Sequence, residues 1–502
     1  MRKILSAQQT READQHTISH EPISSLDLME RASRAFVSRF VALVKPDLKV
    51  TIVCGPGNNG GDGLAIARML KEEGYQVQCY LLEFSNRLSV DCEANLNQLE
   101  GVLPVERINS KEQFTLTKGV VIDAVFGSGL NRPVNGFPAE VINIINESKL
   151  PVVAVDIPSG LFADEVELTG AIVKARLTIT FELPKLTFLI PETGGFVGEW
   201  EAVDIGLDQE FLQSQESGFQ LIEQSFVAQL MPERPKFGHK GVFGRVQMVA
   251  GSLGKMGAAL LCGEACLKSG AGLLTLHVPA VGLNVVQTGL KEAMATVDDC
   301  EEYVSDVPLM ESANVICAGP GLGTHKETAK AMKDLLRASS QPMVLDADAL
   351  NIIAANPGLM KHVPKGSVLT PHVGEFERIF EKHAHGLGRI ETMRKESVTN
   401  GLILVLKGAH TAVSSPDGQV YFNTTGNAGM ATAGSGDVLA GVITGLMAQG
   451  LNGRDAAVAG VFLHGMAGDL AKNKVGKTSL VASNLLSELP EALNNVTITS
   501  LF

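Results

Sequence analysis

The chain is 502 residues long, enough for two or three ordinary domains, each with a core of its own. Its 45% hydrophobic and 19% charged residues exclude a disordered chain, and 52 glycines with only 5% aromatics suit α/β folds. A formal net charge of −13 repels a phosphate backbone and argues against nucleic acid, yet backbone amides can still build a local anion site.

The N-terminal stretch opens with Arg2 and Lys3 but turns polar by Ser6, so it does not read as a secretory signal. No apolar run approaches the roughly 20 residues of a membrane helix, and no membrane partner is expected. A helical region is expected over roughly 6–44. Lys49–Cys54 (KVTIVC) reads as a buried strand, followed by strands at 76–82, 119–125, 151–156 and 177–182. Helical patterns such as Leu64–Lys71 and Ala139–Glu147 separate them. Strands alternating with helices predict a parallel sheet covered on both faces. The pattern weakens around 206–236, where a boundary near 210–225 gives domains over 1–212 and 222–500. The second half restarts the rhythm with strands at 245–250, 273–278, 314–318, 342–346, 367–370 and 402–406. A long small-residue helix follows Gly436. No period of 20–50 residues recurs, which excludes a solenoid. The expected class is α/β, with two three-layer αβα domains.

The cysteines are Cys54, Cys79, Cys92, Cys262, Cys266, Cys300 and Cys317, and no CxxC occurs. Cys262 and Cys266 could share a helix face, but no second pair follows at zinc spacing. Buried thiols in a reducing cytoplasm are the better reading.

Val50–Ala65, VTIVCGPGNNGGDGLA, runs from a strand through a glycine-rich loop into a helix. Glycines let a backbone approach a ligand and adopt φ > 0, and a helix start offers free amides and partial positive charge. Asn58, Asn59 and Asp62 interrupt the glycines and no GxGxxG stands here. The signal is an anion site of the general Rossmann kind, not a dinucleotide fingerprint. Two more strand ends are polar: Val120–Gly129 (VVIDAVFGSG) and Val152–Gly160 (VVAVDIPSG). Ligands of open parallel sheets sit beyond the carboxyl ends of strands. Asn58, Asn59, Asp123, Asp156 and Ser159 are therefore expected to share one crevice. Their amide, carboxylate and hydroxyl oxygens suit a hard cation.

GPGNNGGDG, DAVFGSG, VDIPSG and TFELPK, in this order, resemble the NAD(P)H-hydrate (NAD(P)HX) epimerase domain over about residues 1–210. The resemblance implies a Rossmann-like fold. It implies that Asn58, Asn59, Gly60, Gly61 and Asp62 border the substrate, and that Asn59, Asp123 and Ser159 hold a potassium ion. It also implies that Gly127, Ser128, Gly129, Leu130, Asn131, Arg132 and Pro133, with Asp156, line the substrate. Epimerising C6 of the hydrated ring needs loss and return of hydroxide or a proton equivalent, for which Asp156 is the candidate acid/base. Arg176 departs from the acidic residue expected there, and is read as surface drift.

In the second half, Phe237–Ala259 (FGHKGVFGRVQMVAGSLGKMGAA) again joins a strand, a Gly/Ser loop and a small-residue helix. Gly319–Gly323 (GPGLG), Leu345–Asp348 (LDAD), Thr370–Glu375 (TPHVGE) and Lys407–Thr411 (KGAHT) follow further strands. The sharpest signal is Gly426–Gly441, GNAGMATAGSGDVLAG. Amides before such a helix can hold a transferring phosphate, and Asp437 at its start can take the proton of an attacking hydroxyl.

HKGxxGR (His239–Arg245), TPHxGE and GSGD resemble the ribokinase-like superfamily and, within it, the ADP-dependent NAD(P)HX dehydratase domain, over roughly 222–500. The resemblance implies that Ala258, Gly323, His372 and Asp437 meet the hydrated cofactor. Lys407, Gly408, Ala409, His410, Thr411 and Gly436 would meet the nucleotide, ADP with magnesium. Lys291–Met294 (KEAM) departs by lacking a proline before Glu292. The implied reaction phosphorylates the C6 hydroxyl and then eliminates phosphate, with Asp437 as base. A homo-oligomer is the expected state. The alternative is a ribokinase-superfamily kinase of small molecules whose N-terminal half is a binding scaffold.

Overall fold

The computed structural model describes residues 1–499, and the chain divides into two compact units: Lys3–Ser217, and Met1–Arg2 with Gly218 onward. Residue 500, where the second expected domain closes, lies outside the described residues.

The first unit opens with two helices, α1 (Ala7–His20) and α2 (Ser25–Leu43), where the sequence predicts one region over 6–44. The interruption is local. Pro22 has no N–H to continue a helix, and Ser24 starts the next one with a capping box. Its Oγ accepts from Asp27 N–H (3.1 Å), and the Asp27 carboxylate accepts from Ser24 N–H (3.0 Å).

Seven parallel strands follow: β1 (Lys49–Cys54), β2 (Gln76–Leu82), β3 (Val105–Ile108), β4 (Val120–Ala124), β5 (Val152–Val155), β6 (Leu177–Phe181) and β7 (Glu199–Val203). Their order is β3-β2-β1-β4-β5-β6-β7, the doubly wound pattern. The sequence pattern does not reveal β3 (VERI) or β7 (EWEAV), because both lie at sheet edges and keep half their side chains in water. α2 lays Phe36 and Phe40 into the core formed by Ile52, Leu81 and Ile122 with Leu64 and Leu70 of α3 (Asn58–Glu72). Each such side chain contributes about 1.5–3 kcal/mol through burial.

The second unit carries β8 (Phe219–Leu221), β9 (Arg245–Val249), β10 (Leu273–Val278), β11 (Met294–Val297), β12 (Val315–Ala318), β13 (Met343–Leu345), β14 (Val368–Leu369), β15 (Ile403–Leu406), β16 (Ala412–Ser414) and β17 (Val420–Phe422). They are ordered β8-β17-β16-β15-β14-β13-β12-β9-β10-β11, and only the β15–β16 and β16–β17 pairs are antiparallel. The small residues foreseen after Gly436 let α5 (Ser435–Ala448) press on α4 (Met256–Lys268). A Cβ on Gly441 would fall 2.2 Å from the Cys262 carbonyl oxygen, and one on Gly445 2.4 Å from that of Cys266.

Each sheet has one point where the strand order reverses, between β1 and β4 and between β9 and β12. Crevices open beyond the strand ends at such points.

Candidate functional site

In the first unit the crevice is walled by the start of α3. The sequence predicts Asn58–Asp62 in a loop, with glycines free to take φ > 0. Instead α3 begins at Asn58, and Gly55, Gly57, Gly60, Gly61 and Gly63 all lack positive φ. Their use is close approach. A Cβ on Gly55 would lie 2.0 Å from the Val125 carbonyl oxygen, and one on Gly60 1.7 Å from that of Gly55. The helix N-terminus is thereby pressed onto the strand ends.

That packing brings Asn59 to the β4 and β5 ends. Asn59 Nδ2 donates to the Phe126 carbonyl (3.0 Å). Asp123, fully buried, accepts from Ser159 N–H (2.7 Å) and Ser159 Oγ (2.6 Å). The Phe126 N–H donates to Ser159 Oγ (2.8 Å). Asn59, Asp123 and Ser159 thus meet in one network, joined by the Phe126 carbonyl. A backbone oxygen has no letter in a sequence, and nothing there announces it. Burial pushes the Asp123 carboxyl up to about 6, against the pull of the Ser159 hydrogen bonds. The donor set is all oxygen once the Asn59 amide is turned, which fits a hard monovalent cation.

Asp156, expected as the acid/base of the epimerase site, is held beyond the end of β5 by three donors. It sits at φ +64°, a region that Asp tolerates better than most residues. Its Oδ1 accepts from Lys185 Nζ (2.6 Å), Thr180 Oγ1 (3.0 Å) and Phe181 N–H (3.0 Å). Lys185, nine-tenths buried, also donates to Thr180 Oγ1 (2.9 Å) and the Leu183 carbonyl (3.2 Å). Lys185 closes the TFELPK motif, yet spacing alone does not pair it with Asp156. Two further carboxyls feel this ion pair. Burial first, then Asp156, push Asp14 of α1 up to about 7, with Lys185 opposing. Burial, Asp156 and Asp14 hold Asp62 well above the usual carboxylate range. Gly127 packs on Asn59, where an added Cβ would meet the Asn59 Cβ at 3.2 Å. Ser128, Leu130 and Pro133 are half-buried, while Gly129, Asn131 and Arg132 are exposed.

In the second unit, Gly434 enters α5 at φ +88° and no side chain caps the helix start, so its first amides remain available. Asp437 stands in the first turn. Directly below Gly436 lie Lys407 Nζ and Asp346 Oδ2, 3.3 and 3.7 Å from where a Cβ would sit. Lys407 Nζ is 2.7 Å from Asp346 Oδ1 and 3.9 Å from Glu375 Oε2. Burial works against the Lys407 ammonium, but Asp346 and then Glu375 and Asp437 outweigh it and raise its pKa. Burial first, then Asp346, push Asp437 up to about 7, with Lys407 opposing.

The other expected residues divide. Lys407 turns inward onto carboxylates, whereas Gly408 and Ala409 are exposed, and His410 and Thr411 are half-buried. His372 caps the helix Val373–Ile379: its Nδ1 accepts from Glu375 N–H (3.2 Å), and Glu375 Oε2 accepts from His372 N–H (2.9 Å). This box leaves His372 half in solvent and turns Glu375 toward Lys407. Ala258 packs on Gly321, two residues before Gly323, beyond the ends of β9 and β12. Ser252 Oγ donates to the Gly321 carbonyl (2.8 Å), and a Cβ on Gly321 would lie 3.0 Å from that of Ala258. Gly323 N–H donates to Asp348 Oδ2 (2.8 Å), which Lys255 approaches at 3.5 Å. Among the described residues no three His, Cys, Asp or Glu side chains cluster with metal-holding geometry.

Residues 246–491 match the family model described as NAD(P)H-hydrate dehydratase, and residues 25–187 that of the YjeF-related protein N-terminus. A bifunctional NAD(P)H-hydrate repair enzyme of Moorella thermoacetica is 37% identical, covering 98% of this chain and 97% of its own. One from Escherichia coli is 34% identical, covering 93% and 89%. The crystal structure of the ADP/ATP-dependent NAD(P)H-hydrate dehydratase from Bacillus subtilis, co-crystallised with ATP/Mg2+, is 28% identical. It covers 55% of this chain and 98% of that one, with a TM-score of 0.49. With more than a third of its residues shared along almost the whole length of such a relative, the chain belongs to the bifunctional NAD(P)H-hydrate repair enzymes.

Proposed function

We propose that the second unit dehydrates (S)-NAD(P)HX to NAD(P)H with ADP, and that the first interconverts the (R) and (S) hydrates. The observation that carries the reading is Asp437, a carboxyl raised to about 7 in the first turn of an uncapped, glycine-led helix. A base of that pKa takes a hydroxyl proton readily near neutrality. The C6 hydroxyl attacks the terminal phosphorus of ADP, Asp437 receives its proton, and AMP departs. The α5 amides around Gly436 hold the phosphoryl group as its charge develops. Phosphate then leaves C6 and a proton leaves the neighbouring ring carbon, restoring the double bond. Asp346 and Glu375, already gathered on Lys407, are the carboxylates that would meet magnesium carried by the nucleotide. The ion would neutralise phosphate charge.

In the first unit, hydroxide leaves C6 and returns to the other face. Asn59, Asp123, Ser159 and the Phe126 carbonyl would hold potassium, which balances the buried charge and orients substrate oxygens. Lys185 holds Asp156 in place through a 2.6 Å ion pair. Asp14, whose pKa lies near neutrality, is better placed to exchange a proton. The loop Gly127–Pro133 lines the substrate. Cytoplasmic work suits a chain whose cysteines are all free thiols. No helix among the described residues is long and apolar enough to cross a membrane. Assembly of like subunits completes the reading and is measured by light scattering.

The test is recovery of NADH absorbance from both NADHX epimers with ADP, magnesium and potassium. Full recovery supports both activities. Recovery of one epimer alone leaves the first unit a scaffold. A stable phosphorylated small alcohol, with no NADH formed, would favour the kinase alternative.

A further inference from the structure

The segment that carries Gly434–Asp437 is held from outside as well as by its own turns. It lies along one strip of α6 (Gly453–Val475), a helix to which the sequence motifs give no task. Thr425 Oγ1 donates to the Phe462 carbonyl (2.9 Å). Gly465 lets the strip approach, since a Cβ there would strike Thr425 Oγ1 at 2.2 Å. Gly468 does the same beneath Met430, where the Cβ would be 2.2 Å from the sulfur. Asp469 Oδ2 accepts from Gly426 N–H (2.8 Å), and its Oδ1 accepts from Asn427 Nδ2 (3.0 Å). Positions 464, 465, 468 and 469 recur on one helix face. Asp469 anchors the start of the glycine-rich segment, and His464 meets its end.

His464 Nε2 lies 2.9 Å from the Ser435 carbonyl oxygen and 3.3 Å from Ser435 Oγ. Burial holds the imidazole neutral, its pKa lowered to about 4, with the nearby Lys407 charge adding to the effect. A neutral imidazole has one N–H, and a carbonyl only accepts, so the proton sits on Nε2. The Ser435 carbonyl and the Gly436 N–H belong to one planar trans peptide and point in opposite directions. Gripping the carbonyl therefore aims the Gly436 amide the other way, out of the helix start, where the phosphoryl group would sit.

Resting on the dehydratase reading above, we infer that His464 is the positioning residue of the phosphoryl site: a half-buried imidazole that grips the Ser435 carbonyl and so orients the Ser435–Gly436 peptide for phosphoryl transfer. Its Nε2 contacts are with the Ser435 carbonyl and hydroxyl, so the expected signature is a change in turnover and not in hydrate binding.

The full chain is assayed for both reactions with the wild type, His464→Phe and His464→Gln. Phenylalanine keeps a ring but has no donor, whereas the glutamine amide places an N–H near the Nε2 position. Expected is a fall of tenfold or more in dehydratase kcat for His464→Phe, with KM for the hydrate within about twofold. Epimerase turnover in the same chain should be unchanged, and His464→Gln should recover at least half of the lost rate. Equal rates for the two variants, or a dehydratase kcat unaltered by His464→Phe, would overturn the inference. If His464→Phe does not fold, His464→Asn, whose amide is too short to reach, replaces it against His464→Gln with the same criteria. A wild-type chain that epimerises but never dehydrates would sink the underlying reading, and the inference with it. That outcome is separable, because it appears before any variant is made.

Discussion

The two crevices use the same device and reverse its electrostatics. In both, a glycine-led helix start faces the ends of parallel strands where the strand order turns back. In the first unit that start carries Asn59, and the space before it is filled by oxygens: Asp123, Ser159 Oγ and the Phe126 carbonyl. In the second it carries only glycine and serine before Asp437, with Lys407 beneath. On the reading proposed above, one takes a cation and the other a phosphoryl anion, although the helix dipole is the same in both. The side chain at the helix start decides the sign. An amide oxygen can overrule the dipole at short range, whereas bare glycine leaves it exposed.

The comparison breaks most visibly at Asp437. Asp437→Asn should lower dehydratase turnover a thousandfold or more, as loss of a proton-accepting base joined to misplaced charge, and leave epimerisation intact. The same change should stabilise the second unit above neutrality. The folded-state pKa of about 7 lies above the ordinary aspartate value of 3.8, so protonation favours the fold. That contribution is complete below about pH 4 and is lost as pH rises through 7. Asparagine avoids the loss, and the variant should melt higher than wild type at pH 8 and alike at pH 4. Equal melting at both values would mean that Asp437 is not crowded by Asp346.

At the first crevice the matching change is Asp123→Asn. It removes the buried charge while keeping the shape, and epimerase turnover should fall about a hundredfold with loss of any potassium activation. Dehydration should not change. A variant that keeps its full rate and its response to potassium would show that the oxygen cluster is structural.

How far the residues themselves announce these sites differs between the two. Buried strands with continuous apolar runs, such as KVTIVC and VVIDA, are legible because both faces are covered. Edge strands such as β3 and β7 are not, since their half-exposed side chains look like loop. Glycine density marks the crevices but not the reason for it. Gly55 and Gly60 serve helix–strand contact, while Gly434 serves a left-handed turn, and the letter is the same. Partners far apart in the chain are the least legible. Lys185 meets Asp156 only through the β5–β6 pairing, and Asp14 reaches them from a helix more than 140 positions away. His464 is hidden for a similar reason: HGMAGD reads as a small-residue helix until its contacts with Ser435 and Gly426 are seen.

Lys185→Met probes whether the first crevice depends on its own buried cation, as the second does on Lys407. Asp156 would remain almost buried at φ +64° with its strongest partner gone. Breaking one side of a buried pair costs about 3–5 kcal/mol. Denaturation of the first unit should shift accordingly, and Lys185→Met with Asp156→Asn should restore a good part of it. No shift in the single variant would mean that the pair is solvated and not a fixed element of the crevice.

The smallest and most discriminating change is Asp14→Asn, which alters one atom pair in a helix that carries no motif. Asp14 and Asp437 reach the same pKa of about 7 by the same route, burial followed by a neighbouring carboxylate. If Asp14 exchanges the proton in epimerisation, its variant should flatten the limb of the epimerase pH–rate profile near 7 and lower the plateau about tenfold. Stability should follow the sign worked out for Asp437: higher than wild type at pH 8, alike at pH 4. A profile that keeps its limb near 7 while the stability difference appears would leave Asp14 a crowded spectator. Proton exchange would then fall to Asp62, the other carboxyl that burial and Asp156 hold up. Asp62→Asn decides between them, because epimerase turnover should then fall in that variant and not in Asp14→Asn.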